Sequence, residues 1–214
     1  MDKTEALITR LVDDLSPVKR LIGPLRRSGV WLLTIGVLST ALVVAFADLD
    51  LAARRAAEAT LALEMAGTLV TGIAAVVAAF HLALPDRSPR WAFVPLPPLL
   101  LWLAASGSSC WRQWLAAGPE GWSFGESAKC FVWVVGFSVP LGVSLWFALR
   151  RARPIAPLLP VSVAALGSAA LAAFLLQFFH PFDVTFLDLG MHLAAIGLVV
   201  TISAALSHRW RYDG

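Results

Sequence analysis

The chain has 214 residues, 58% hydrophobic and 14% charged, with a mean hydropathy of +0.76 and a net charge of +3. Soluble domains are less apolar and carry about 25% charge, so a water-soluble globular protein is excluded. Six membrane spans of about 20 residues would use roughly 120 positions, which leaves no room for a soluble catalytic domain. The basic excess is read as a topology signal and not as a nucleic-acid footprint.

Residues 1–28 form the one sizeable stretch that is not membrane-like. Leu7, Leu11, Leu15, Val18, Ile22 and Leu25 recur at spacings of three and four and predict one apolar stripe on a helix. Ser16-Pro17 has the form of an N-cap followed by proline at the first helical position, so a second short helix is expected there. Gly23-Pro24 is expected to break it before the first span. The first apolar run follows a charged stretch and lacks a cleavage site, so no signal peptide is expected. The stripe has three ways to be covered: the membrane surface, the underside of a bundle, or a groove on a soluble partner. Asp2, Glu5, Asp13 and Asp14 weigh mildly against an anionic lipid surface.

The fold class expected is all-α, a six-helix polytopic membrane protein occupying residues 29–208, with a tail at 209–214. The continuous apolar runs exclude alternating barrel strands. The spans are read as Val30–Ala47, Leu61–Leu84, Trp91–Ser109, Cys130–Leu149, Ile155–Gln177 and Leu189–Ser207. Placing both termini on one side puts thirteen cations there (Lys3, Arg10, Lys19, Arg20, Arg26, Arg27, Arg87, Arg90, Arg150, Arg151, Arg153, Arg209, Arg211) against four opposite (Arg54, Arg55, Arg112, Lys129). Both termini are therefore expected in the cytoplasm of a bacterial inner-membrane protein. Pro95, Pro97 and Pro98 predict a kinked or partly unwound third span. The stretch Cys110–Lys129 reads as the longest loop, with Trp111, Trp114 and Trp122 as interfacial anchors. His81 is expected at the cytoplasmic interface. The many Gly and Ala residues within the spans favour close helix packing.

Ionisable groups inside spans are costly and point to function. Glu64, Cys110, Cys130, His180, Asp183, Asp188 and His192 converge on one level near the outer face. Asp188 lies four residues before His192, on the same helix face, and is expected to fix its tautomer. Thiol, imidazole and carboxylate together suit zinc or copper. Three readings stay open for this layer: a satisfied polar layer at helix ends, a metal site, or a Cys110–Cys130 disulfide. The sequence holds no Gly-x-Ser-x-Gly, Walker loop or His-Glu-x-x-His, so no enzyme is expected. The rival reading is a small membrane transporter, or a redox or metal-handling membrane enzyme, built on the same layer.

The run from Leu7-Ile8 through Asp14-Leu15-Ser16-Pro17-Val18-Lys19-Arg20-Leu21 resembles the NrsF family of membrane anti-sigma factors. Further carriers are Gly118-Pro119-Glu120-Gly121, Ser127 with Cys130, Ser138 to Pro140, Leu149-Arg150-Arg151-Ala152, and His180-Pro181-Phe182-Asp183 with His192. The resemblance covers essentially the whole chain. It implies restraint of an extracytoplasmic-function (ECF) sigma factor by the cytoplasmic N-terminal segment, with release on a metal or oxidative envelope signal. It implies a partner site at Leu7, Leu11, Asp14, Leu15, Pro17, Val18, Arg20 and Ile22. It also implies a sensing site at Cys130, with His180 standing where the family carries a second cysteine. Contact with transcription would then run through a bound protein, without direct nucleic-acid binding.

Overall fold

The computed structural model describes residues 3–13, 21–118, 124–179 and 185–209. It is all-α. Eight α-helices run in order among these residues: α1 (Lys3–Asp13), α2 (Pro24–Phe46), α3 (Leu49–Ala57), α4 (Ala59–Leu82), α5 (Leu96–Ala117), α6 (Phe124–Arg150), α7 (Leu158–Leu176) and α8 (Phe186–Arg209). Six of them are long and apolar enough to cross a membrane: α2, α4, α5 with the turn before it, α6, α7 and α8. Helices satisfy every backbone donor within the segment, which the hydrocarbon core demands. Six crossings bring the chain back to the end where α2 starts. That end is called the termini end below, and the other the far end.

Several spans depart from their sequence-based boundaries for an identifiable reason. Gly23-Pro24 opens the first span, with Pro24 in the first turn, and the short helix expected before it lies outside the described residues. Proline costs nothing there because its missing N–H has no intrahelical acceptor to meet. The three prolines of the third span act in the same way. A 3-10 turn, Pro89–Phe93, precedes α5, and Pro97 and Pro98 sit in the opening turn of α5. The span is interrupted before its helix begins, and the helix itself is not kinked by them. Pro140 is the proline that lies inside a helix, within α6.

The long loop is also corrected. α5 continues to Ala117 and α6 begins at Phe124, so Cys110, Trp111, Trp114 and Cys130 are all helical. Gly118 ends α5 at φ +63°, a left-handed conformation that favours glycine, and its N–H bonds the carbonyl of Trp114. The sequence reading missed α3, whose nine residues form a short amphipathic helix between the first two spans.

α7 is the most enclosed helix and carries an Ala-rich, nearly uniformly apolar surface. α4 packs against α5 and against α7 through small residues. A methyl group on Gly67 would come 2.8 Å from Trp102 Cβ and 3.0 Å from its Cα, and one on Gly167 would meet the backbone N of Val76 at 3.2 Å. Such close approach lets van der Waals contact hold helices together where lipid removes the hydrophobic drive. Gly67→Ala should cost about 1–3 kcal/mol, because the α5 backbone cannot yield as a side chain would. Gly36→Ala, which meets nothing within 4 Å, should cost far less. Denaturation in mixed detergent micelles would separate the two variants.

His81 sits in the last turn of α4. It is buried and stacks on Trp91 with ring centroids 3.8 Å apart. At the same end Arg27 donates from a guanidinium nitrogen to the carbonyl of Ala148, tying the first turns of α2 to the last turns of α6. Arg27 also lies over the Phe80 ring, 5.1 Å from its centroid.

Candidate functional site

Two regions concern function, one at each end. At the termini end α1 carries Leu7, Ile8, Leu11 and Val12 side by side, each more than half exposed, and no residue of α1 is buried. Ile22 is exposed as well. The helical stripe therefore exists where described, and it remains uncovered by the bundle. Asp14, Leu15, Pro17, Val18 and Arg20, and with them the Ser16-Pro17 cap, lie outside the described residues.

At the far end the alternation of the chain brings the starts of α4, α6 and α8 together with the ends of α5 and α7. Glu64, Cys130, Asp188 and His192 line one cavity there, roofed in part by Ala52 of α3. Its free volume is ≈ 50 Å³, room for a few water molecules. Trp102, Met65 and Leu176 form its apolar walls.

Each polar group in this layer is held by another helix or by a cap. Glu64 is buried and accepts a hydrogen bond of 2.5 Å from Ser109 of α5. Ser109 in turn accepts from Arg112 at 3.4 Å. Gln177 at the end of α7 donates to the Thr68 hydroxyl at 3.4 Å. The Asp188 carboxylate accepts from the Thr185 backbone N–H at 2.9 Å and from its hydroxyl at 2.7 Å, while the Asp188 N–H donates to the same hydroxyl at 3.2 Å. This is a reciprocal capping box, and it starts α8 three residues earlier than the apolar run suggests. Its signature, Thr185-x-x-Asp188, stands in the sequence and could have been found there. The other Asp188 oxygen faces the Cys130 thiol at 4.0 Å, the outer reach of a sulfur hydrogen bond. Asp188 thereby fastens α8 to α6.

His192 departs from expectation in one respect. Its Nδ1 meets the backbone carbonyl of Asp188 at 2.8 Å, not the carboxylate. A carbonyl oxygen only accepts, so Nδ1 carries a hydrogen in this contact. The helix backbone holds Nδ1 of the ring, while the Asp188 carboxylate caps the helix and meets Cys130.

Cys110 does not line the cavity but lies within electrostatic reach of Glu64 and Asp188. Both cysteines are thiols, and both are buried. We expect neither to react with a bulky maleimide in the folded protein, and both to react after unfolding without reductant, as counted by mass spectrometry. His180 and Asp183 lie outside the described residues. Among the described residues no three His, Cys, Asp or Glu side chains are placed to share a metal ion.

A buried acid pair, two thiols and an imidazole at helix ends, below a buried apolar bundle, make a polar joint between five helices. No curated protein matches the chain, and no solved structure does. The model of the NrsF family, negative regulator of sigma F, matches residues 11–211, which takes in all six spans and most of the N-terminal segment. The chain belongs to the NrsF family, and is a multi-pass membrane protein that regulates a sigma factor negatively.

Proposed function

We propose that this protein is a membrane-bound anti-sigma factor that holds an ECF-type sigma factor through its N-terminal segment. Leu7, Leu11, Leu15, Val18 and Ile22 anchor the sigma factor, and Asp13, Asp14, Lys19 and Arg20 set the register. The observation that carries this reading is α1, a helix with an apolar face and no buried residue. A helix of this kind is stable once its stripe is covered, and helix-in-groove docking covers it. The cationic bias supports a cytoplasmic position for this segment, on the side where a sigma factor works.

The signal enters at the opposite, outer end. The polar joint is where α6 and α8 meet, through Cys130 and Asp188. α6 runs from that joint to Ala148, which holds Arg27 at the root of the N-terminal segment. An oxidant or a soft metal ion that binds one arrangement of the joint better than the other shifts α6, and with it the segment that grips the sigma factor. Zinc or copper held at Cys130 and His192 would need a further donor from outside the described residues, such as His180 or Asp183.

The test is capture by the full chain in lipid nanodiscs of sigma factors from the same cell. Removing residues 1–22 should abolish capture while the six-helix bundle still inserts. Capture that survives the deletion would place the grip elsewhere and end this reading.

A further inference from the structure

α6 is the longest of the described helices, and Pro140 stands in its interior. Proline has no N–H, so the carbonyl of Gly136, one turn earlier, loses its intrahelical donor, and the proline ring crowds that carbonyl. Ser138 loosens the same turn from the inner face. It is buried, and its hydroxyl donates to the carbonyl of Val134 at 2.5 Å, a bond to the previous turn that bends helices. Gly136 and Pro140 are exposed on the outside of the bundle. A methyl group on Gly136 would meet nothing within 4 Å, so among the described residues no neighbouring helix props the turn there.

The apolar core divides at the same place. Cys130 and Val134, with Val135 beside them, pack with Leu176 at the end of α7 and Ala195 of α8. Leu141, Leu145 and Leu149, with Phe137 beside them, belong to a separate cluster that includes Trp31 of α2 and Phe80 of α4. Along α6 the boundary falls between Val135 and Phe137, at Gly136. Each half is also fastened near its own end: Cys130 faces Asp188 of α8 at 4.0 Å, and Ala148 accepts from Arg27 of α2. A rigid rod seated in two cores would drag one with the other. A helix that lacks a bond at the boundary bends there instead. Cys130 lies ten residues from Pro140, about 15 Å along the axis. A change of about 10° in bend therefore moves Cys130 by roughly 2–3 Å, enough to break a contact already at its outer reach.

We propose that α6 is a jointed helix, whose far half, carried with α8, tilts about the turn 136–140 against the half that packs with α2 and α4. Bend at this turn is the coordinate along which the polar joint opens. The tilt itself needs no sigma factor; its use in releasing one rests on the function proposed above.

Double electron–electron resonance on the full chain in nanodiscs tests it, with spin labels on Val132→Cys of α6 and Leu33→Cys of α2. Both positions are exposed, and the native cysteines are buried. Asp188→Ala, which frees the far half, should shift the mean distance by about 2–3 Å. In a Pro140→Ala background, which restores the missing bond, the shift should fall below about 1 Å. Ser138→Ala, a small change at a buried position, should reduce the shift in part. A shift of the same size with and without Pro140 overturns the proposal, because the helix then moves as one rod. No shift with Pro140 present overturns it too. Where Pro140→Ala does not fold, an undiminished shift in Ser138→Ala overturns it. If the shift depends on Pro140 while a sigma-dependent reporter ignores it, the hinge stands and the signal route of the proposed function fails.

Discussion

Replacing Leu7 and Leu11 together by aspartate is expected to weaken capture of the sigma factor by at least 100-fold, with no loss of bundle stability. Each leucine is exposed on α1, 57% and 60%, so each has most of its side chain to bury on docking. Covering a leucine is worth about 1.5–3 kcal/mol, and two of them about 3–6 kcal/mol, before the cost of desolvating two new carboxylates is added. At about 1.4 kcal/mol per tenfold, a factor of 100 is the low end of the range. The bundle is spared because α1 contributes no buried residue to it. Charge reversal at Arg10, on the polar side of the helix, should change affinity by less than about fivefold, as rim charges do. Affinity measured with the full chain in nanodiscs, and a sigma-dependent reporter in cells, give two independent readouts. If the double variant still binds the sigma factor but the segment no longer associates with vesicles, the stripe serves the membrane surface instead.

How much of this was legible depended on which physical signal carried it. The six spans were written in the apolar runs, because nothing but an uninterrupted helix tolerates hydrocarbon on all sides. Their ends were not, since hydropathy falls off where helices still continue. Residues Trp111 to Ala117 carry a polar stretch, Arg112-Gln113, yet stay helical, and Leu49–Ala57 is helical with two arginines inside it. Proline was read as a breaker where position made it a starter, at Pro97 and Pro98. The polar layer was legible as a level, because ionisable residues at span ends stand out. Its partners were not, because Ser109, Thr68 and Gln177 are ordinary residues until packing brings them within 3.5 Å of each other's helices. His81 shows the same limit. Its place near a span end suggested water, whereas the 3-10 turn folds Trp91 over it.

Asp188→Ala should be the most damaging single change at the far end. The carboxylate accepts two bonds from Thr185 and faces Cys130, so its loss removes a helix cap and a contact between α6 and α8 at once. Loss of an N-terminal cap costs about 0.5–2 kcal/mol. Leaving the buried Thr185 N–H without an acceptor costs about 1–3 kcal/mol more. The two overlap, so we expect about 2–4 kcal/mol in a denaturation series in mixed micelles. Asp188→Asn keeps the shape and one acceptor oxygen, and should lose about half as much. The functional consequence follows from where the damage falls. On the proposed function, loss of the contact between α8 and Cys130 releases the joint without a signal, and the sigma-dependent reporter should be constitutively active at normal protein levels. Wild-type stability in Asp188→Ala would show that this carboxylate does not fasten the helices. A destabilised variant that still silences the reporter would make the joint a support for the fold, and the signal would then have to enter the bundle elsewhere.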